Sequence, residues 1–313
     1  MLRPLTIALL GIASAVSAQS PATAPHDSAP TDTLVRYWVR PSATDPSIKR
    51  FDLPNYVVFA ANVKPDAPLL VFMPGTGGRP ANTTEFADVA ARQGYRVIGL
   101  EYTDTPAVGQ VCPRNPDPRC AGAMREKRIF GDDAAEVIDD PPEESIVNRL
   151  TKLLALLDRE HPDERWAQYL ANGQPAWTRI AVSGLSQGAG MAAYIAKKTT
   201  VARVVLFSSP WDFHGRFREL APWISGGSGA TPPERWFAAY HEKEPTADLI
   251  ERAYRALRIP ANQIRKFTLE PAMARGVPAK YHPSGVANGA TPRLPDGTPA
   301  YADDWRFLVG DVR

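Results

Sequence analysis

The run Arg179-Ile-Ala-Val-Ser-Gly-Leu-Ser-Gln-Gly-Ala-Gly190 constrains this chain more than any other stretch. An apolar β-type segment leads straight into Gly184-Leu-Ser-Gln-Gly188, and small, helix-compatible residues follow. That order predicts a strand, a tight turn and a helix, with Ser186 at the apex. The backbone at such an apex is strained, so bulky residues two positions away would clash, and Gly184 and Gly188 remove them. The hydroxyl is then held out at the sheet edge, and the following helix points its positive end at any developing anion. A structural turn is the plainer alternative for the same five residues.

The rest of the chain supplies the sheet such a turn needs. Leu34–Val39 and Asn55–Ala60 read as two opening strands, plausible hairpin partners, and Pro68–Met73 as a buried strand ending at Pro74-Gly-Thr-Gly-Gly78. A helix over Thr83–Gln93 stops at Gly94, and Tyr95–Tyr102 is the next strand. An amphipathic helix follows from Glu143 to Glu160, with Ile146, Leu150, Leu153, Leu154 and Leu157 at helical spacing. After the elbow block (179–198) come a strand over 202–207, a strand over 235–240 and a helix over 247–257. A last strand, Gln263–Leu269, and a closing helix, Tyr301–Val309, complete the series. Short apolar runs alternating with helices imply βαβ units, a mostly parallel α/β sheet, and ligands beyond the carboxyl ends of its strands. Two long connections, about 103–140 and 209–234, interrupt the alternation and read as insertions over that edge.

At 313 residues, 44% hydrophobic and 22% charged, the chain suits one large α/β domain or two small ones. A net charge of +2 with interspersed signs gives no field for nucleic acid or a membrane surface. The first 18 residues read as a cleavable secretory signal: Arg3, an apolar Leu5–Val16, then Val16-Ser-Ala18. That apolar run is shorter than the roughly 20 residues a spanning helix needs, so a periplasmic or secreted protein without integral membrane association is expected. Residues 19–33 are Pro, Ala, Ser and Thr with almost no bulky apolar residue, a leader predicted to be disordered. The domain proper is then 34–313. Cys112 and Cys120 fall in one Pro- and Arg-rich loop with no histidine, which favours a local disulfide over a zinc site.

A serine hydroxyl needs a base, normally a histidine oriented by a carboxylate. His26 lies in the leader, His161 ends a surface helix, and His214 and His241 follow strands downstream of the elbow. His282, in Ala279-Lys-Tyr-His-Pro-Ser-Gly285, has an acidic strand end before it in the order serine, acid, histidine, and is the favoured base. For the acid, Glu244 in Tyr240-His-Glu-Lys-Glu-Pro245 is favoured, Asp212 is the alternative, and Glu242 and Asp248 are weaker candidates. Backbone N–H groups at Thr76 or Gly77, with that of Gln187, would form an oxyanion hole. The Gly-Thr-Gly-Gly run lacks both the Lys-Ser/Thr ending of a phosphate loop and dinucleotide-fold spacing, so phosphate binding is not expected, and serine-based acyl transfer calls for no metal or cofactor.

The order of Gly-rich loop, serine elbow, acidic strand end and late histidine resembles the α/β-hydrolase superfamily over most of residues 34–313. Within it the chain is similar to a group of exported bacterial serine hydrolases. The similarity runs through Ser145-Ile-Val-Asn-Arg-Leu150, Trp177, Ser183–Lys197, Ser208-Ser-Pro210, His241-Glu-Lys-Glu244 and Asp304-Trp-Arg-Phe-Leu308. The resemblance implies Ser186 as nucleophile, Glu244 as orienting acid and His282 as base. This chain has Glu where the superfamily more often has Asp, and no His-Gly pair in the oxyanion loop. The expected activity is hydrolysis of an ester or related acyl bond in a small-molecule, lipid or polyester-type substrate. A non-catalytic binding protein and a peptidase of the same fold are the other readings. Trp211, Phe213, Trp223 and Trp236 would line an apolar pocket or simply pack.

Overall fold

Runs such as Leu69-Leu-Val-Phe-Met73 and Arg203-Val-Val-Leu-Phe207 have no polar face, and a strand of that kind is stable only when covered on both sides. The computed structural model describes residues 33–313 apart from 133, 274–275 and 277–278, so the expected signal peptide and almost all of the leader lie outside the described residues. Eight strands form one sheet: β1 (Leu34–Val39), β2 (Asn55–Ala60), β3 (Leu69–Met73), β4 (Arg96–Gly99), β5 (Ile180–Leu185), β6 (Arg203–Phe207), β7 (Trp236–His241) and β8 (Ile264–Phe267). Their spatial order is β1-β2-β4-β3-β5-β6-β7-β8. The β1/β2 pair is an antiparallel hairpin and β2 also runs antiparallel to β4; every later pairing is parallel. With a serine elbow at the carboxyl edge of β5, this is the α/β-hydrolase fold.

Alternation along the strands divides the interior in two. Leu69, Val71, Met73, Ile180, Val182, Val204 and Leu206 face a layer built from α3 (Ile146–Glu160), α4 (Gln187–Lys198) and α5 (Ala247–Ala256). Leu70, Phe72, Ala181, Val205 and Phe207 face α1 (Thr84–Arg92) and α6 (Ala302–Val309) on the opposite side. One-residue alternation of buried side chains is what a pleated strand imposes. Helix α3 begins at Ile146 rather than Glu143, because the Ser145 side chain accepts the Asn148 N–H at 3.2 Å and caps it there. Residues 142–144 form a separate 3₁₀ turn before that cap.

The 103–140 excursion holds the short helix Val108–Val111 and α2 (Cys120–Phe130), and a disulfide joins Cys112 to Cys120. Val108, Met124 and Ala121 form a small cluster of their own with Ala221, and Trp223 packs against it. The two long connections thus cover one another. Trp236 is buried in the core, and Trp223 stacks edge-on to Tyr194, so neither forms an apolar substrate pocket. Among the described residues no helix is long and apolar enough to cross a membrane.

Candidate active site

At the end of β5 the backbone does what the glycine spacing demands. Ser186 has φ +53° and ψ −115°, a conformation costly for any side-chain-bearing residue. Its N–H is held by Phe207 O at 2.9 Å, tying the apex to the neighbouring strand. A Cβ at Gly184 would lie 2.4 Å from the Gly188 carbonyl carbon, and one at Gly188 only 2.0 Å from Met73 O. Neither position tolerates a side chain. Gly75 is less severely constrained: a Cβ there would meet the Ser186 Cβ at 3.2 Å, a tight contact rather than a collision, so the loop after β3 lies against the serine.

Glu244 sits just beyond β7 and His282 in the loop beyond β8. His282 Nδ1 lies 2.6 Å from Glu244 Oε2, and the Glu244 side chain is wholly buried. The other carboxylate oxygen, Oε1, accepts the His241 N–H at 2.8 Å and the Ser208 hydroxyl at 2.7 Å. Three donors therefore satisfy one buried carboxylate, which fixes its orientation. A carboxylate at Nδ1 puts the ring proton there and leaves Nε2 as the basic nitrogen. Ser208, also at positive φ (+54°), is 3.0 Å from His282 O as well, so it touches both the acid and the histidine backbone. Its role is invisible in sequence except that Ser208-Ser-Pro210 ends the strand next to the elbow strand.

Ser186 and His282 line one cavity of about 560 Å³, together with Thr76, Leu185, Met273 and Ala290. The 268–301 loop beyond β8, which carries no periodic pattern, supplies much of this wall. Asp212 is elsewhere: both its oxygens bind the Arg125 guanidinium at 2.7 Å, and Oδ2 also accepts Trp223 Nε1 at 2.8 Å. Asp212 is committed to Arg125 and Trp223, while His282 Nδ1 is taken by Glu244, so Asp212 does not orient His282. Glu242 is exposed, and Asp248 faces Arg218 at the surface. Of the remaining histidines, His161 stacks on Tyr37, His214 faces Glu219, and buried His241 bonds Leu269 O. His26 lies outside the described residues.

The loop after β3 carries both expected oxyanion donors, Thr76 and Gly77. The Gly78 N–H donates to Gly75 O at 2.8 Å, closing the turn, and burial raises the pKa of Asp104 against the opposing pull of the Thr105 hydroxyl and Arg128. Thr76 and Gly77 both line the cavity beside Ser186. Gln187, as the first residue of α4, has no intrahelical partner for its N–H. The loop itself is anchored by Tyr102, whose hydroxyl donates to Pro74 O at 2.9 Å. Among the described residues no group of three or more His, Cys, Asp or Glu is placed to hold a metal ion.

No protein-family model matches this chain, and no curated protein sequence matches it. Solved structures do. A mutant of the esterase E40 is 16% identical over 90% of this chain and 86% of its own length, with a TM-score of 0.47. A bacterial heroin esterase is 16% identical over 75% of this chain and 74% of its own, with a TM-score of 0.41.

Proposed function

We propose that this protein is an exported serine hydrolase that cleaves an ester or related acyl bond through Ser186, His282 and Glu244. The observation that carries the reading is the bond from His282 Nδ1 to a fully buried Glu244, with Ser186 on a strained elbow in the same cavity. Strain of that kind persists only where the surroundings enforce it, and the forcing elements here are the two glycines and the Phe207 carbonyl.

In this reading Ser186 Oγ attacks the substrate carbonyl carbon while its proton passes to His282 Nε2. The Oγ–C bond forms, the carbonyl oxygen becomes an oxyanion, and the Thr76 and Gln187 N–H groups receive it. Collapse breaks the bond to the leaving oxygen, which takes the proton from His282. Water then attacks the acyl-enzyme, giving its proton to His282, and Ser186 regains a proton as the acid leaves. Glu244 keeps the ring in the productive tautomer and offsets the charge of the imidazolium. Each oxyanion donor is worth about 3–4 kcal/mol of transition-state stabilisation in sites of this kind.

Substitution of Ser186 by Ala is expected to cut hydrolysis of a short p-nitrophenyl ester by about 10⁴-fold or more while the circular dichroism spectrum stays unchanged. It should also abolish labelling by a fluorophosphonate probe. Full turnover in that variant removes the assignment. Export is supported by the charged and apolar amino-terminal run and by a disulfide, which a reducing cytosol does not favour. Amino-terminal sequencing of the exported chain is expected to begin at Gln19.

A further inference from the structure

Two cavities meet at Ser186. One, of about 560 Å³, contains His282. The other, of about 220 Å³, is lined by Thr76, Ser186, Gln187 and Trp211 among others, and His282 is not part of it. The smaller one borders a third space: Gly109 and Gln110 in its wall also line a cleft of about 970 Å³ between the two insertions. A general acid must reach the oxygen it protonates. If Ser186 and His282 act as proposed above, the leaving group lies on the His282 side. The acyl chain then runs through the small cavity toward the cleft.

The cleft is basic. Arg114, Arg216, Arg218 and His214 line it, and among the described residues no Asp or Glu does. Two carboxylates pair with this group from outside: Glu219 lies 3.6 Å from His214, and Asp248 lies 3.8 Å from Arg218. Both carboxylates are more than half exposed, and ion pairs of that kind contribute little. Arg114 and Arg216 are exposed and form no ion pair among the described residues. An incoming anion can therefore reach both.

Local structure gathers these cations despite their mutual repulsion. The Cys112–Cys120 disulfide closes the loop that carries Arg114. The Gly215 N–H donates to Pro113 O at 3.2 Å, which ties the loop of Arg216 to it. In that second loop a short hairpin pairs Phe213–His214 with Glu219–Leu220. Arg218 lies over the Phe213 ring at 5.3 Å and Arg216 over Phe217 at 4.6 Å. A guanidinium stacked on a ring face keeps its N–H edge for an anion. A cleft lined by one sign of charge concentrates the opposite sign within it.

We infer that this cleft receives an anionic group, a carboxylate, phosphate or sulfate, at the far end of the substrate's acyl chain. The site then selects a charged acyl chain over a neutral one of the same length.

The test compares p-nitrophenyl monoesters of adipic, suberic and sebacic acid with the same esters whose free carboxylate is capped as a methyl ester. Each kcat/KM, measured at low ionic strength, is divided by the rate of hydroxide-catalysed hydrolysis of the same ester to remove intrinsic reactivity. At the best-fitting length the expected preference for the carboxylate is on the order of tenfold, the factor one charge-assisted hydrogen bond contributes. It should shrink in about 0.5 M sodium chloride, because the cations are exposed. An Arg114→Gln/Arg216→Gln double variant should bring the ratio toward one, and each single substitution gives a separate reading if the double variant folds poorly. A ratio near one at all three lengths, or an undiminished ratio in all these variants, overturns the inference while leaving a Ser186-dependent hydrolase intact. So does an equal preference for a carboxylate on the alcohol side, read with the butyryl esters of ω-hydroxyoctanoate and of its methyl ester. Absence of Ser186-dependent hydrolysis of every ester removes the parent reading, and this inference with it.

Discussion

Three glycines in the elbow block look alike in sequence and do different work. Gly184 and Gly188 are required by the turn itself, because side chains there would collide with backbone at 2.4 and 2.0 Å. Gly190 is within helix α4, where alanine would ordinarily add up to about 1 kcal/mol of stability. Here a Cβ would fall 2.2 Å from the Arg125 guanidinium. That group is the end of a flexible side chain, but it is fully buried and held by two 2.7 Å bonds to Asp212. Displacing it strands a buried carboxylate, which costs about 3–5 kcal/mol and outweighs the helix gain. Gly190→Ala is therefore expected to lower stability by about 2 kcal/mol or more, seen as a Tm drop on the order of 5 °C. An unchanged or raised Tm would show that Arg125 can move aside at no cost. The same contact explains why Asp212 stood as the alternative to the favoured Glu244 in the sequence. Both follow strand ends downstream of the elbow, and only the arrival of Arg125, 87 positions earlier in the chain than Asp212, commits Asp212 elsewhere.

Among the elements, the strands and crossover helices were legible because each carries a periodic pattern: continuous apolar runs for β3, β5 and β6, helical spacing for α3. Boundaries shifted by up to three residues where a side chain intervened, as when Ser145 delayed the start of α3. Loops were harder. The 268–301 segment walls the cavity with Met273 and Ala290 yet has no period that could announce it. The 103–140 excursion was readable through its length and its cysteines, which close a loop with a sequence separation of 8. Closing a loop of that size contributes about 2–3 kcal/mol by restricting the unfolded chain. A Cys112→Ser/Cys120→Ser double variant should lose that amount in urea unfolding. It should also become more susceptible to proteolysis within 103–140, because the cluster around Val108 and Met124 is small. Equal unfolding midpoints and slopes for the two proteins would show that the cluster alone holds the excursion.

At the scale of the whole molecule, the parallel sheet gathers strand ends along one edge, so side chains distant in the chain converge there. That convergence makes a serine at 186, an acid at 244 and a histidine at 282 a coherent set on chain order alone. It also gathers charge whose consequence no linear reading reveals. Glu101, just past β4, is buried beside Asp104, and burial with this like-charged neighbour raises its pKa from 4.5 to about 8 against the opposing pull of Arg149 and Arg79. The folded state then keeps a proton that the unfolded chain releases. Below about pH 4.5 both states hold it; between there and about pH 8 only the folded state does, so its stability falls as pH rises and levels off above. Glu101→Gln carries no such proton, so its advantage over the unaltered protein should widen across that window. Urea unfolding of both proteins near pH 5, 7 and 9 measures the difference directly. A difference that stays constant from acid to base would mean that Arg149, already bonded to the Glu101 carbonyl, neutralises the carboxylate in the folded protein. A widening difference would place an uncompensated acid beside Asp104, itself raised by burial, in the interior just past β4.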